Sequence, residues 1–188
     1  MGRRAFGALV GLLGVGIVGF LVVQTGVWVD IVGTGPYEEG TVTVRGGNAT
    51  ATPTPCDRSP NGTEVVACSD SRQLATVEVR IANTTAQRYT GLSDTESLAP
   101  NEGMLFVHEE EDTYSYVMRD MSFALDIIFI DANGTVTTIH HADPPPEGES
   151  YSERYSGQGL YVLEVNRGWA NRTGVTVGDT VELPAGVE

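Results

Sequence analysis

The chain has 188 residues, enough for one ordinary domain with appendages. Acidic residues outnumber basic ones by 25 to 11, a formal charge of -14, and every basic residue is an arginine. No basic stripe exists to neutralise phosphates, which argues against nucleic acid as a partner. A hydrophobic fraction of 40% argues against a disordered acidic chain.

A lysine-free acidic surface suits life in concentrated salt. There the Debye length falls to about 3 Å and repulsion between carboxylates is screened. In dilute buffer the same charge would destabilise the compact state.

Residues Ala5 to Val23 are nineteen residues without a charge. At about 1.5 Å per residue such a helix just crosses a hydrocarbon core of about 30 Å, so residues 5–23 are expected to meet the lipid bilayer. Arg3 and Arg4 precede the run, and Asp30, Glu38 and Glu39 follow it. The positive-inside rule then puts the N-terminus in the cytoplasm and the rest outside the cell membrane, as a single-pass protein. A cleaved signal peptide is the rival reading, because Arg3-Arg4-Ala5-Phe6 resembles part of a twin-arginine signal. The run is long for a signal core and no Ala-x-Ala site follows, which favours a retained anchor over residues 1–23.

Residues 24–72 read as a Gly/Thr/Pro-rich extracellular stalk, with Thr41 to Val44 a candidate short strand. Cys56 and Cys68 flank a turn-forming Pro60-Asn61-Gly62, and an oxidising exterior favours a disulfide between them. Free thiols or a metal site are the alternatives, but no further ligands lie nearby. Five sequons, at Asn48, Asn61, Asn83, Asn133 and Asn171, all lie downstream of the apolar run and suit a glycoprotein.

The globular domain is placed at 73–188. Ala75, Val77, Val79 and Ile81 alternate with polar residues, a half-buried strand. Asn83-Thr84-Thr85 offers a cap for a helix over 86–92. Met104 to Val107 and Tyr114 to Met118 are the next strands, with the acid run Glu109 to Asp112 between them as a solvated turn. Leu125 to Ile130 suits a central strand, and Asn133-Gly134 turns the chain into a partner strand, Val136 to His140. Residues 142–150 form a loop, and Leu160 to Val165 another strand. Asn166 is a candidate cap for a short helix through Arg172, ended by Gly174. Val177 to Leu183 is the last strand. The expected class is mostly β (α+β): a small antiparallel β-barrel or sandwich with one or two short helices.

Arg88-x-x-Gly91-Leu92, Glu102-Gly-Met-Leu-Phe-Val107, Met118, Leu125-Asp-Ile-Ile-Phe-Ile-Asp131, Tyr161-Val-Leu-Glu-Val-Asn166, Gly168-Trp169 and Val177-Gly-Asp179 occur in order over about half the chain. Together they resemble the family known as domain of unknown function 192. The resemblance implies a compact, mostly antiparallel β domain, often exported or membrane-attached, and supplies no activity. Val117-Met118-Arg119-Asp120-Met121 stands where the family usually has Trp-Met-Lys-Asn-Thr. Leu92-Ser93 stands where a Leu-Met pair is usual. A site built on these segments would have altered chemistry in this chain.

Arg88, Met118, Arg119 and Asp126 are the candidate ligand-binding residues. Asp126 interrupts an apolar run and needs a cationic or hydrogen-bonding partner. Arg119 is the expected one, with Arg88 a third member, forming either a structural salt bridge or a pocket for an anion or a sugar. His140-His141-x-Asp143, with His108, are candidate metal ligands. Adjacent histidines in one strand point to opposite faces, so no metal and no cofactor is assigned. No catalytic set is recognisable. The expected function is a membrane-anchored binding or interaction module at the cell surface, whose partner is an envelope glycan or another surface protein. The alternative is an envelope glycan-acting hydrolase using Asp126 and a second carboxylate such as Glu102.

Overall fold

The computed structural model describes residues 35–47 and 72–187. The apolar run 5–23, Cys56, Cys68, Asn48 and Asn61 lie outside them. Among the described residues no helix is long and apolar enough to cross a membrane.

The described residues from Tyr37 onward form one compact unit. Its strands are β1 (Glu38–Arg45), β2 (Gln73–Ala82), β3 (Glu102–Tyr116), β4 (Leu125–Ile130), β5 (Val136–Ala142), β6 (Tyr155–Asn166) and β7 (Thr180–Glu182). Helix α1 (Thr85–Thr90) lies between β2 and β3, and α2 (Trp169–Thr173) between β6 and β7. All seven strands belong to one sheet, in the order β5-β4-β6-β3-β2-β1-β7. The sheet curls into a half-barrel. At one corner its two edges meet, where Val181 N donates to Gly134 O (2.7 Å) and Gly178 N to Val136 O (2.8 Å).

The mostly-β class with two short helices therefore holds, as a single curled sheet rather than a sandwich. One pair departs from the antiparallel expectation. β2 and β3 run parallel, as a crossover through α1 allows.

Several element boundaries shift. β1 comes from the segment read as stalk: Val42 and Val44 alternate with threonines, and both are buried between β2 and β7. The two strands expected around the acid run are one strand, β3. Its register with β6 jumps from Val107↔Tyr161 to Asp112↔Gly159, so residues 108–111 bulge out opposite Leu160. Within the Asn83-Thr84-Thr85 stretch it is Thr84 that caps α1, in a reciprocal box with Gln87. Asn166 does not cap α2; its amide donates to Leu98 O and Ala99 O, and the cap residue is Gly168.

Apolar residues on the two faces of the sheet build two cores. One draws on all seven strands and is completed by Trp169 and Ala170 of α2. The other lies over β3, β4 and β6, with Met104, Phe106, Ile127, Phe129 and Val162, and is covered by Leu92 and Met118. Strand alternation decides which polar residue meets which core. Asp126 is paired with Val165 and so faces the first core; Glu164, paired with Met104 and Ile127, faces the second.

Candidate functional site

A cleft of about 280 Å³ opens on the face that carries Glu164. Arg88, Tyr89 and Ser93 border it from α1 and the turn after it. His108, Tyr114 and Tyr116 border it from β3, and Met118 and Arg119 from the loop that follows. Leu92, Phe106 and Leu125 give it apolar walls.

Glu164 is 6% exposed. Burial alone acts on its carboxyl, which shows no hydrogen bond or ion pair among the described residues. Burial pushes it up from 4.5 to about 8, so it is a neutral acid at neutral pH. An unpartnered acid in such a place is costly, and strongly shifted groups in clefts mark functional sites. The shift of the half-buried His108 is the opposite. Burial, and then the Arg88 guanidinium, lower it to about 4, so the imidazole is neutral too. His108 Nε2 lies 3.0 Å from Tyr116 Oη, and its ring stacks on Tyr114 with centroids 3.5 Å apart. Burial, followed by the nearness of Glu164, raises the Tyr116 hydroxyl, which stays protonated.

The arginines are held in place from behind. Arg88 Nη1 donates to Asn83 O and Val107 O, both at 2.8 Å, tying α1 to β3. Arg119 donates to Tyr89 O and lies over the Tyr89 ring, 4.0 Å from its centroid. Tyr89 itself is 72% exposed. Ser93 Oγ donates to Arg119 O at 2.9 Å, joining the two rims.

The structure thus brings Arg88, Met118 and Arg119 together and leaves Asp126 out. Asp126 and Arg119 do not pair. Asp126 is fully buried on the opposite face of the sheet. It accepts hydrogen bonds from Gly168 N (3.0 Å), Ala170 N (2.9 Å) and His141 Nδ1 (2.7 Å), with Arg167 Nε at 4.0 Å. It takes up the free amides at the start of α2, a structural role. Glu102 is exposed, accepts from Ala99 N at 3.0 Å and lies on the same face as Met104. Glu102 and Asp126 therefore do not form a carboxylate pair about one cleft. His140 and His141 also project from opposite faces, paired with Ile127 and Asp126. Among the described residues no group of three or more histidines, cysteines and acids is placed to hold a metal ion. Asn83, Asn133 and Asn171 are all exposed.

Sequence reasoning missed Glu164 and the part played by His108. The signal for Glu164 was the one that singled out Asp126, a lone carboxylate inside an apolar strand. Here it stands in Leu160-Tyr-Val-Leu-Glu-Val165.

Fold and site together define a class: a small half-barrel β domain with a concave, acid-floored cleft beside its parallel crossover. The chain belongs to the DUF192 family (Uncharacterized ACR), whose model matches residues 65–183. A crystal structure from Sinorhizobium meliloti 1021, provisionally described as a transcription regulator, is similar to it. The TM-score is 0.60 and the identity 27%, over 78% of this chain and 95% of that one. A protein of unknown function from Novosphingobium aromaticivorans DSM 12444 is also similar, with a TM-score of 0.55 and 29% identity over 76% and 84% of the two chains. Comparison with curated proteins gives no significant match.

Proposed function

We propose that this protein is a membrane-tethered, extracellular binding module of a high-salt envelope, and that it binds its ligand in the Glu164 cleft. One observation carries the reading: a buried carboxyl without a partner lies on the floor of an open cleft. A purely structural acid would be paired, as Asp126 is. The concave shape favours a small molecule or a chain end over a flat protein surface. Tyr89, Tyr114 and Tyr116 add aromatic surface for a ring. The tether rests on the apolar run 5–23 with Arg3 and Arg4 before it, the exterior on the downstream sequons and cysteines, and the salt adaptation on the charge of -14 without lysine. The hydrolase reading has less support. Among the described residues Glu164 is the one carboxyl group lining the cleft, and glycoside hydrolysis commonly needs two.

Two measurements test the proposal. Protease added to intact cells should remove the C-terminal domain, and a fully protected domain would refute the topology. A fragment screen on the full-length protein should perturb the methyl signals of Met118 and Met121, which line the cleft. A screen whose hits all leave these two signals unmoved would refute the cleft as the binding site.

A further inference from the structure

We propose that the cleft selects a small organic acid. Its carboxylate would sit at the Arg88 and Arg119 rim, its body between the apolar walls, and a hydroxyl or carbonyl at its far end against Glu164. This rests on the binding-module reading and names the ligand class for that same site.

The charge around the cleft points this way. The molecule as a whole is strongly acidic, yet the groups facing this cleft are not. From α1 come Arg88 and Tyr89, from β3 His108, Tyr114 and Tyr116, from the following loop Arg119, and from β6 Glu164. With Glu164 and His108 both neutral, the two guanidiniums are the full charges in this lining among the described residues. The lining itself is positive, and the exposed carboxylates Glu109 and Asp120 lie beside its two arginines. A cationic ligand would meet two arginines and would have to ionise Glu164, whereas an anion has only to displace the exposed Glu109 and Asp120 from the arginines.

Both arginines have capacity for such an anion. A guanidinium carries five N–H donors and grips a carboxylate at two points. The carboxylates now facing them are loose and solvent-bathed: Glu109 at 3.7 Å from Arg88, and Asp120 at 3.9 Å from Arg119. Exposed pairs of this kind are worth at most about 1 kcal/mol. A ligand carboxylate seated in the cleft would replace them at little cost.

The walls define the rest of the ligand. Leu92, Phe106, Met118 and Leu125 line the same cleft, and the volume exceeds what an inorganic anion fills. The body is therefore a ring or hydrocarbon. At the floor, a neutral carboxyl offers one donor and an acceptor, and a ligand without a polar group there would leave both unmet.

Titration of the full-length protein with matched acids and neutral analogues at fixed salt tests this. The pairs are 4-hydroxybenzoate with 4-hydroxybenzyl alcohol, and galacturonate with galactose, alongside inorganic phosphate. The readout is the Met118 and Met121 methyl signals. At least one acid should bind about tenfold or more tightly than its neutral partner, and Arg119→Gln should abolish that preference. Which acid wins separates a free aromatic acid from an envelope uronic acid as the source. Raising the pH from about 7 to 9 should weaken the acid about tenfold, as the protonated fraction of Glu164 falls. Glu164→Gln should bind with no such pH dependence, and its melting curve reports whether the variant is folded. If no acid surpasses its neutral partner, or phosphate binds as well as the organic acids, the proposal is overturned while the module reading stands. If no compound here and no fragment in the wider screen moves the two methyl signals, both fall.

Discussion

Replacing Glu164 with glutamine keeps the shape and the hydrogen-bonding capacity of the side chain and removes its ability to ionise. In the folded protein burial raises this carboxyl from 4.5 to about 8. Between those values the folded form retains a proton that the unfolded chain has released. Raising the pH therefore favours unfolding, and stability present in acid is lost progressively up to about pH 8. Each tenfold step in proton affinity is about 1.4 kcal/mol, so the full loss is about 5 kcal/mol, with about 3 kcal/mol already incurred at pH 7. His108 works in the opposite sense, but only at lower pH. Its value is depressed to about 4, so it adds stability as the pH rises to about 6.5 and nothing beyond. The clean window is pH 6.5 to 8, where the wild type should lose about 2 kcal/mol through Glu164. Urea denaturation of wild type and Glu164→Gln across this window reads the difference directly. The glutamine variant should be flatter by that amount. Parallel curves would mean that Glu164 ionises in the folded state as freely as in water, and the argument for the site would fail with it.

Two further substitutions test the frame around the cleft. Asp126→Ala removes the acceptor for Gly168 N, Ala170 N and His141 and should destabilise the domain by about 3 to 5 kcal/mol in denaturant. Near its own midpoint the residual folded population should show unshifted Met118 and Met121 methyl signals, since Asp126 faces the other core. A loss under about 1 kcal/mol would show that the α2 amides do not depend on it. Gly91→Ala places a Cβ where φ is 54° and ψ is -133°, with Phe106 Cζ 3.3 Å away. It should lower stability by about 1 to 3 kcal/mol, measured the same way, and an unchanged midpoint would refute the strain.

The elements with a clear period were legible in the sequence. Val77, Val79 and Ile81 are buried as their alternation requires, and Leu125 to Ile130 is buried throughout, as a continuous apolar run implies. The need of Asp126 for a partner was legible as well. The identity of that partner was not, because it depends on which face of β4 looks toward α2, and that is set by register across β6. A shift of one residue would have turned Asp126 toward the cleft and Arg119. The four-residue bulge in β3 was hidden for a related reason. The run Glu109 to Asp112 has turn-like composition, and nothing local shows that the chain resumes the same strand afterwards. That continuation lets Tyr114 stack on His108 and brings Tyr116 beside Glu164.

The position of β1 matters for any attempt to isolate the domain. The family match begins at residue 65, whereas β1 ends at Arg45. Yet β1 is the strand that joins β7 to the rest of the ladder, and Gly46 N donates to Arg72 O where the chain leaves and re-enters the sheet. A fragment trimmed to residues 65–183 would leave β2 with a bare edge and β7 held only at the corner by Gly134, Thr135 and Val136, and would uncover the apolar surface that Val42 and Val44 seal. Bare edges recruit other chains. Such a fragment should self-associate, while one beginning at Tyr37 should not, so domain limits taken from sequence similarity would yield a sticky protein from a well-behaved one.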